Sequence, residues 1–127
     1  MCTELGDQCH DDMAKSKLEK QTTITGAFTA STGTQNFVVK QNGKVVSVNG
    51  FVSGATLTAW QTKTLGTISG VSLPPAVIRT IGGVAAQAYQ HPEDVAYIGV
   101  GTNGEVTVLS NQDGSKAVYF NLTYIVD

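Results

Sequence analysis

The sequence predicts an all-β domain, a sandwich or barrel of about nine or ten short strands behind a short polar leader. Three observations carry this. In the closing run Val118, Phe120, Leu122, Tyr124 and Val126 alternate with Tyr119, Asn121, Thr123 and Ile125, the period-2 pattern of a strand with one face in a core. Turn dipeptides recur through the chain: Asn42-Gly43, Asn103-Gly104 and Asp113-Gly114. Charge is also confined. Residues 1–20 hold Glu4, Asp7, Asp11, Asp12, Lys15, Lys17, Glu19 and Lys20, whereas the chain beyond is rich in Thr, Ser, Gly, Asn and Val. The boundary divides a segment 1–21 from a domain 22–127.

The leader is the one helical candidate. Leu5, Cys9 and Met13 fall at i, i+4 and i+8, with charged residues on the other faces. So short a stripe cannot hold a helix alone, and a parallel bundle in an oligomer would supply its partners. Cys2 and Cys9 would lie about 10 Å apart on such a helix, beyond the roughly 7 Å limit for a bridge. They read as free thiols or as a bridge between chains. Cys9, His10, Asp11 and Asp12 invite a metal reading, but adjacent helical residues point different ways and no second ligand pair has zinc spacing. No metal and no cofactor is expected.

After residue 21 the strands follow in order. Residues 24–30 (ITGAFTA) read as the first, with a turn at 31–33. Residues 36–41 (NFVVKQ) and 44–53 (KVVSVNGFVS) flank Asn42-Gly43 as a hairpin. Asn49-Gly50 interrupts an apolar run and reads as a bulge or a close backbone approach. Strands are expected at 55–60, ending in Trp60, and at 62–69. Leu73-Pro74-Pro75 must break the ladder, since proline donates no hydrogen bond. Residues 76–81 and 84–89 read as two strands separated by Gly82-Gly83, and His91-Pro92-Glu93 as an exposed loop. Residues 94–127 read as three consecutive strands, reversed at Asn103-Gly104 and again at residues 111–114.

Composition bounds the function. A net charge of −2 offers no basic stripe for nucleic acid. Charged residues make up 14% of the chain against roughly 25% in ordinary domains, so hydroxyls and amides cover the surface. No stretch is long and apolar enough for a membrane helix, and the N-terminus lacks a signal-peptide pattern. A surface-exposed protein without an export signal is either a fragment or leaves its cell by another route, such as viral lysis of the host. The sequon at Asn121 then reads as strand.

Catalytic material is thin, and no enzyme is expected. Beyond residue 20 there is one histidine, no cysteine and five side-chain carboxylates, and no G-x-S-x-G or phosphate loop appears. Binding is the better expectation. Trp60 is the only tryptophan, Arg79 the only arginine, and Tyr89, His91, Glu93 and Asp94 share one loop. Aromatic faces beside hydrogen-bonding groups suit a saccharide, and these six are the candidate site residues. For Trp60 and Tyr89 the competing reading is core or interface filler.

At Trp60 the chain also resembles the C-terminal head of bacteriophage tail-fibre and baseplate receptor-binding proteins from phages of Gram-positive hosts. The resemblance rests on residues 42–50 (NGKVVSVNG), Trp60, Leu65-Gly66-Thr67, Leu73-Pro74, Asn103-Gly104 and residues 120–124 (FNLTY), and spans roughly residues 28–127. The family's Gly-Tyr-Arg-Pro after the Leu-Pro turn is here replaced by residues 75–79 (PAVIR). The resemblance implies a jelly-roll-like antiparallel β-sandwich with a short N-terminal helix or stem, assembled as a homotrimer. It implies attachment of a virion to host cell-wall polysaccharide or teichoic acid, with the N-terminal segment joining other baseplate or tail proteins. The outward face of the closing strand (Ala117, Tyr119, Thr123 and Ile125) would be covered by that self-association. A structural subunit without a receptor site and a non-viral carbohydrate-binding module are the competing functions.

Overall fold

The computed structural model describes residues 22–127. The expected N-terminal helix, with Cys2 and Cys9, falls outside the described residues. Nine strands follow in order: β1 (Thr23–Thr25), β2 (Ala27–Ala30), β3 (Thr34–Asn42), β4 (Val45–Leu57), β5 (Lys63–Ser69), β6 (Ile78–Ala85), β7 (Asp94–Val100), β8 (Glu105–Leu109) and β9 (Gly114–Ile125). All pairings are antiparallel. The strands form one sheet in the order β1-β3-β4-β9-β6-β7-β8-β5-β2.

This corrects the expected sandwich. One continuous sheet curls nearly into a barrel, and the seam is the first strand itself. β1 pairs with β3 at one edge and β2 with β5 at the other, so residues 23–30 join both edges of the sheet. Gly26 is the crossing point. Its N–H donates to Val39 O at 2.8 Å, and an added Cβ would lie 2.7 Å from Ser69 O and 2.9 Å from Val39 Cγ1. Only a residue without a side chain fits between the two edges. Closure leaves little unpaired edge, the standard liability of β proteins.

The core lies inside the curl and follows the predicted alternation. Val118, Phe120, Leu122, Tyr124 and Val126 are all buried, joined by Val46, Val48 and Val52 of β4, Ile98 and Val100 of β7, and Val106 and Val108 of β8. Each fully buried aliphatic side chain contributes about 1.5–3 kcal/mol. Valine dominates because branching at Cβ suits a pleated surface. Gly50 occupies an inward position of β4 between Phe37 of β3 and Phe120 of β9. Those two rings meet with centroids 4.7 Å apart and Phe28 lies against Phe37 at 4.5 Å, while a Cβ on Gly50 would lie 2.0 Å from Asn36 O and 2.7 Å from Phe37 Cα. Of the two readings of Asn49-Gly50, close approach is the one observed. The β4 bulge falls between Val52 and Ala55 instead.

Other expectations change for identifiable reasons. Residues 76–81 and 84–89 are not two strands: β6 runs unbroken through Gly82 and Gly83. A Cβ on Gly82 would meet Tyr119 O at 2.3 Å, and one on Gly83 would meet Pro92 Cβ at 2.4 Å. The glycines admit close neighbours rather than a turn. Residues 86–93 form a loop, so Tyr89 is not on a strand. β4 ends at Leu57, which leaves Trp60 in a turn as well. The reversal at Asn42-Gly43 is shifted by one residue, with Asn42 paired to Val45 and Gly43 at φ 59. The last three strands are not a meander. β8 pairs with β7 and β5, whereas β9 crosses away to lie between β4 and β6.

Candidate functional site

The strand register separates two ends. Thr23 pairs with Asn42 and Val45 with Ile125, so the chain enters the domain beside the β3–β4 turn and its own C-terminus. The β5–β6 and β7–β8 connections share this base. At the opposite end, the tip, lie residues 31–33, 58–62, 86–93 and 110–113.

Hydrogen bonds tie three tip loops together. Trp60 N donates to Ser110 O at 2.7 Å, and Ala59 N to Asp113 Oδ1 at 2.9 Å. Gln112 Nε2 donates to Asp94 Oδ2 at 2.8 Å, and Glu93 N to Val84 O at 2.9 Å. Asp94 also accepts from Val95 N, and this bond, with the one from Gln112, holds its carboxyl below the usual value of 3.8. The carboxylate is thereby kept charged at the rim of the tip.

Two residues stand out in this group. Among non-glycine residues described, Trp60 (φ 61) and Tyr89 (φ 66) have positive φ. They are also the two most exposed of the large hydrophobic residues, Trp60 at 70% and Tyr89 at 85%. A bulky side chain in the left-handed region costs of order 1–3 kcal/mol and persists where the surroundings enforce it. Neither aromatic fills the core of the subunit, which corrects that half of the filler reading.

The structure brings Tyr89, His91, Glu93 and Asp94 onto one loop and its junction with β7, and hydrogen bonds link that junction to the turn holding Trp60. Arg79 is set apart. It stands on the outer face of β6, opposite Gly99 of β7, which in turn faces Thr107 of β8. Because Gly99 has no side chain, a trough opens there, made of adjoining hollows of about 160 and 380 Å³ that share Thr62, Arg79, Gly99 and Thr107. Glu105 lines its lower part and accepts from Thr64 Oγ1 at 3.0 Å.

On the other flank, Tyr89 reaches over β4. Its ring meets Phe51 edge-on with centroids 5.2 Å apart, Phe51 meets Tyr119 at 5.3 Å, and Tyr119 OH donates to Gln87 O at 3.3 Å. Tyr89 and Phe51 wall a cleft of about 290 Å³ that also includes Thr34, Gln35, Asn36, Ser53 and Ala88. The sequence reading did not single out Phe51 or these polar residues. One signal was available: in the alternation of 45–52, Phe51 falls with Val45, Ser47 and Asn49 on the outward face.

The outward face of β9 also differs from expectation. Ala117 is buried within the subunit and Tyr119 is half-covered beside the 86–93 loop, leaving Thr123 and Ile125 exposed. The larger exposed apolar surface lies on β6 and β7, where Ile81 pairs with Tyr97 and Val95 lies beside them.

These features define a class by shape: a nearly closed antiparallel β domain whose chain enters at one end and whose linked loops close the other. No protein-family model and no curated protein matches the chain. Among solved structures it is similar to the receptor binding protein (gp15) of Listeria phage PSA, with a TM-score of 0.60 and 15% identity, over 96% of this chain and 76% of that one. At that identity the likeness is one of fold.

Proposed function

We propose that the chain is a receptor-binding head of a bacteriophage tail or baseplate, which attaches the virion to host cell-wall saccharide without catalysis. The observation that carries this is the fold shared with a phage receptor binding protein over nearly the whole chain. The geometry supports it. A head must be held at one end and present groups at the other, and here chain entry and the linked tip loops lie at opposite ends.

Self-association as a homotrimer belongs to the same reading, supported by the exposed Val77, Ile81, Val95 and Tyr97. Three copies would multiply weak sugar contacts into useful avidity. In the same reading residues 1–21 join the head to other tail proteins, and the protein is a component of the virion.

The test is retention of the purified protein on deproteinised bacterial wall fractions, together with competition of phage adsorption. Binding that free wall polysaccharide displaces is expected. Failure to bind any wall fraction would favour a structural subunit of the same fold. Light scattering that finds a monomer at micromolar concentration would remove the trimer and favour an isolated carbohydrate-binding module.

A further inference from the structure

We infer that the cleft between Tyr89 and the outer face of β3–β4 is the site for a single uncharged sugar ring, with Tyr89 and Phe51 as its apolar wall and Asn36, Thr34 and Ser53 as its polar one. This rests on the receptor-binding reading above and assigns that role to a specific place. None of the residues lining the cleft is charged. A phosphorylated or acidic group would find no counter-ion there, whereas a neutral pyranose has the matching chemistry. Its C–H face packs on aromatic rings and its hydroxyls exchange hydrogen bonds with amides and hydroxyls. At about 290 Å³ the cleft sits at the lower end of ligand pockets, roughly 300–1,000 Å³. That suits one ring better than an extended chain.

The cleft is held in shape before any ligand arrives. Tyr89 keeps a left-handed backbone while its loop is fastened by Tyr119 OH to Gln87 O and by Gln87 N to Gln90 Oε1 at 3.2 Å. Asn36 is paired with Phe51 and Thr34 with Ser53, so these four side chains share the outer face of the two strands. Fixing these groups in advance lowers the ordering cost of binding. Trp60 shares the exposure and the strained backbone of Tyr89, yet it lines none of the clefts described above. Aromatic surface and outward-facing polar side chains coincide at Tyr89.

The experiment is a titration of the full-length ¹⁵N-labelled protein with free glucose, galactose, N-acetylglucosamine and rhamnose, read by amide chemical shifts. At least one sugar is expected to shift the side-chain NH₂ signal of Asn36 and the backbone amides of Thr34 and Ser53. Tyr89→Ala and Asn36→Ala should each weaken that sugar about tenfold. Lys44→Ala, at the base, should leave it unchanged. A dispersed spectrum and an unaltered unfolding midpoint show that the variants are folded, and Asn36→Ala is the second arm if Tyr89→Ala is not. Retention on wall fractions with no cleft shift, or with both variants binding as wild type does, would overturn the cleft and leave receptor binding intact. Loss of wall retention in the unmodified protein, with no sugar shift, would overturn both.

Discussion

The two ends of the domain treat the same backbone problem differently. At the base, reversals that need a positive φ use glycine: Gly43 (φ 59), Gly70 (φ 79) and Gly104 (φ 84). At the tip that conformation is also taken by Trp60 and Tyr89, where it is strained. The polar groups differ likewise. Gln41 is buried at the base and makes three bonds: Nε2 donates to Gly43 O at 2.9 Å and Ser72 Oγ at 3.1 Å, and Oε1 accepts from Ser72 N at 2.8 Å. Tyr124 OH adds a bond to Ser72 O at 2.5 Å. The tip links its loops mainly through exposed groups. Buried hydrogen-bonded side chains lie where the chain enters, and strained backbone lies where aromatic rings face solvent.

Substitutions should separate the ends, the largest effects falling at the base. Gln41→Ala removes the three hydrogen bonds of a buried amide that ties Gly43 to Ser72, at an expected cost of about 2–4 kcal/mol by chemical denaturation. Its effect on ligand retention should be small under folding conditions. Equal loss of retention and stability would break the division.

Tyr124→Phe should cost about 1 kcal/mol, since Ser72 O loses its partner. Burial raises the Tyr124 pKa above its usual 10.0. For a neutral acid held this way, stability is complete below pH 10.0 and is lost as pH rises through the folded-state pKa. Phenylalanine abolishes that alkaline loss, which parallel denaturation curves above pH 10.0 would reveal.

Trp60→Gly should do the reverse of the base variants. Relief of strain, of about 1–2 kcal/mol, outweighs about 0.4–1 kcal/mol of added unfolded-chain entropy, so the melting point holds or rises. Tyr89→Gly should be close to neutral, because the lost ring contact with Phe51, worth about 0.5–1.5 kcal/mol, offsets the relief. Clear destabilisation by Trp60→Gly would show that its backbone is not strained. Asp94→Asn should have the smallest effect. The depressed pKa of Asp94 contributes stability that is complete above 3.8 and is lost as pH falls through the folded value, and solvent around the carboxylate keeps it slight. The acid limb of a melting-point profile should therefore shift little.

Much of the fold could be read from the chain. Inward residues of the closing strand, the break at Leu73-Pro74-Pro75 and the reversals near Gly43 and Gly104 all follow from local rules. A period-2 pattern is written within each strand, and a turn within a few residues. Gly82-Gly83 misleads for the same reason, since locally it reads as punctuation. Its role is set by Tyr119 and Pro92, distant in sequence. The candidate site was legible only in part. The loop with Tyr89, His91, Glu93 and Asp94 stood out by composition, but Phe51 and Asn36 meet Tyr89 only through strand pairing and loop folding.

By itself, then, the sequence determined an all-β domain, the core face of the closing strand and an exposed loop at His91-Pro92-Glu93. Tertiary structure alone decided that β9 inserts between β4 and β6, that one sheet closes at Gly26, and that Arg79 and Tyr89 stand on different flanks. The physical reason is range. Alternation and turn chemistry act between residues a few positions apart, whereas the choice of strand partner is made among many similar valine-rich faces and depends on the closure of the whole sheet.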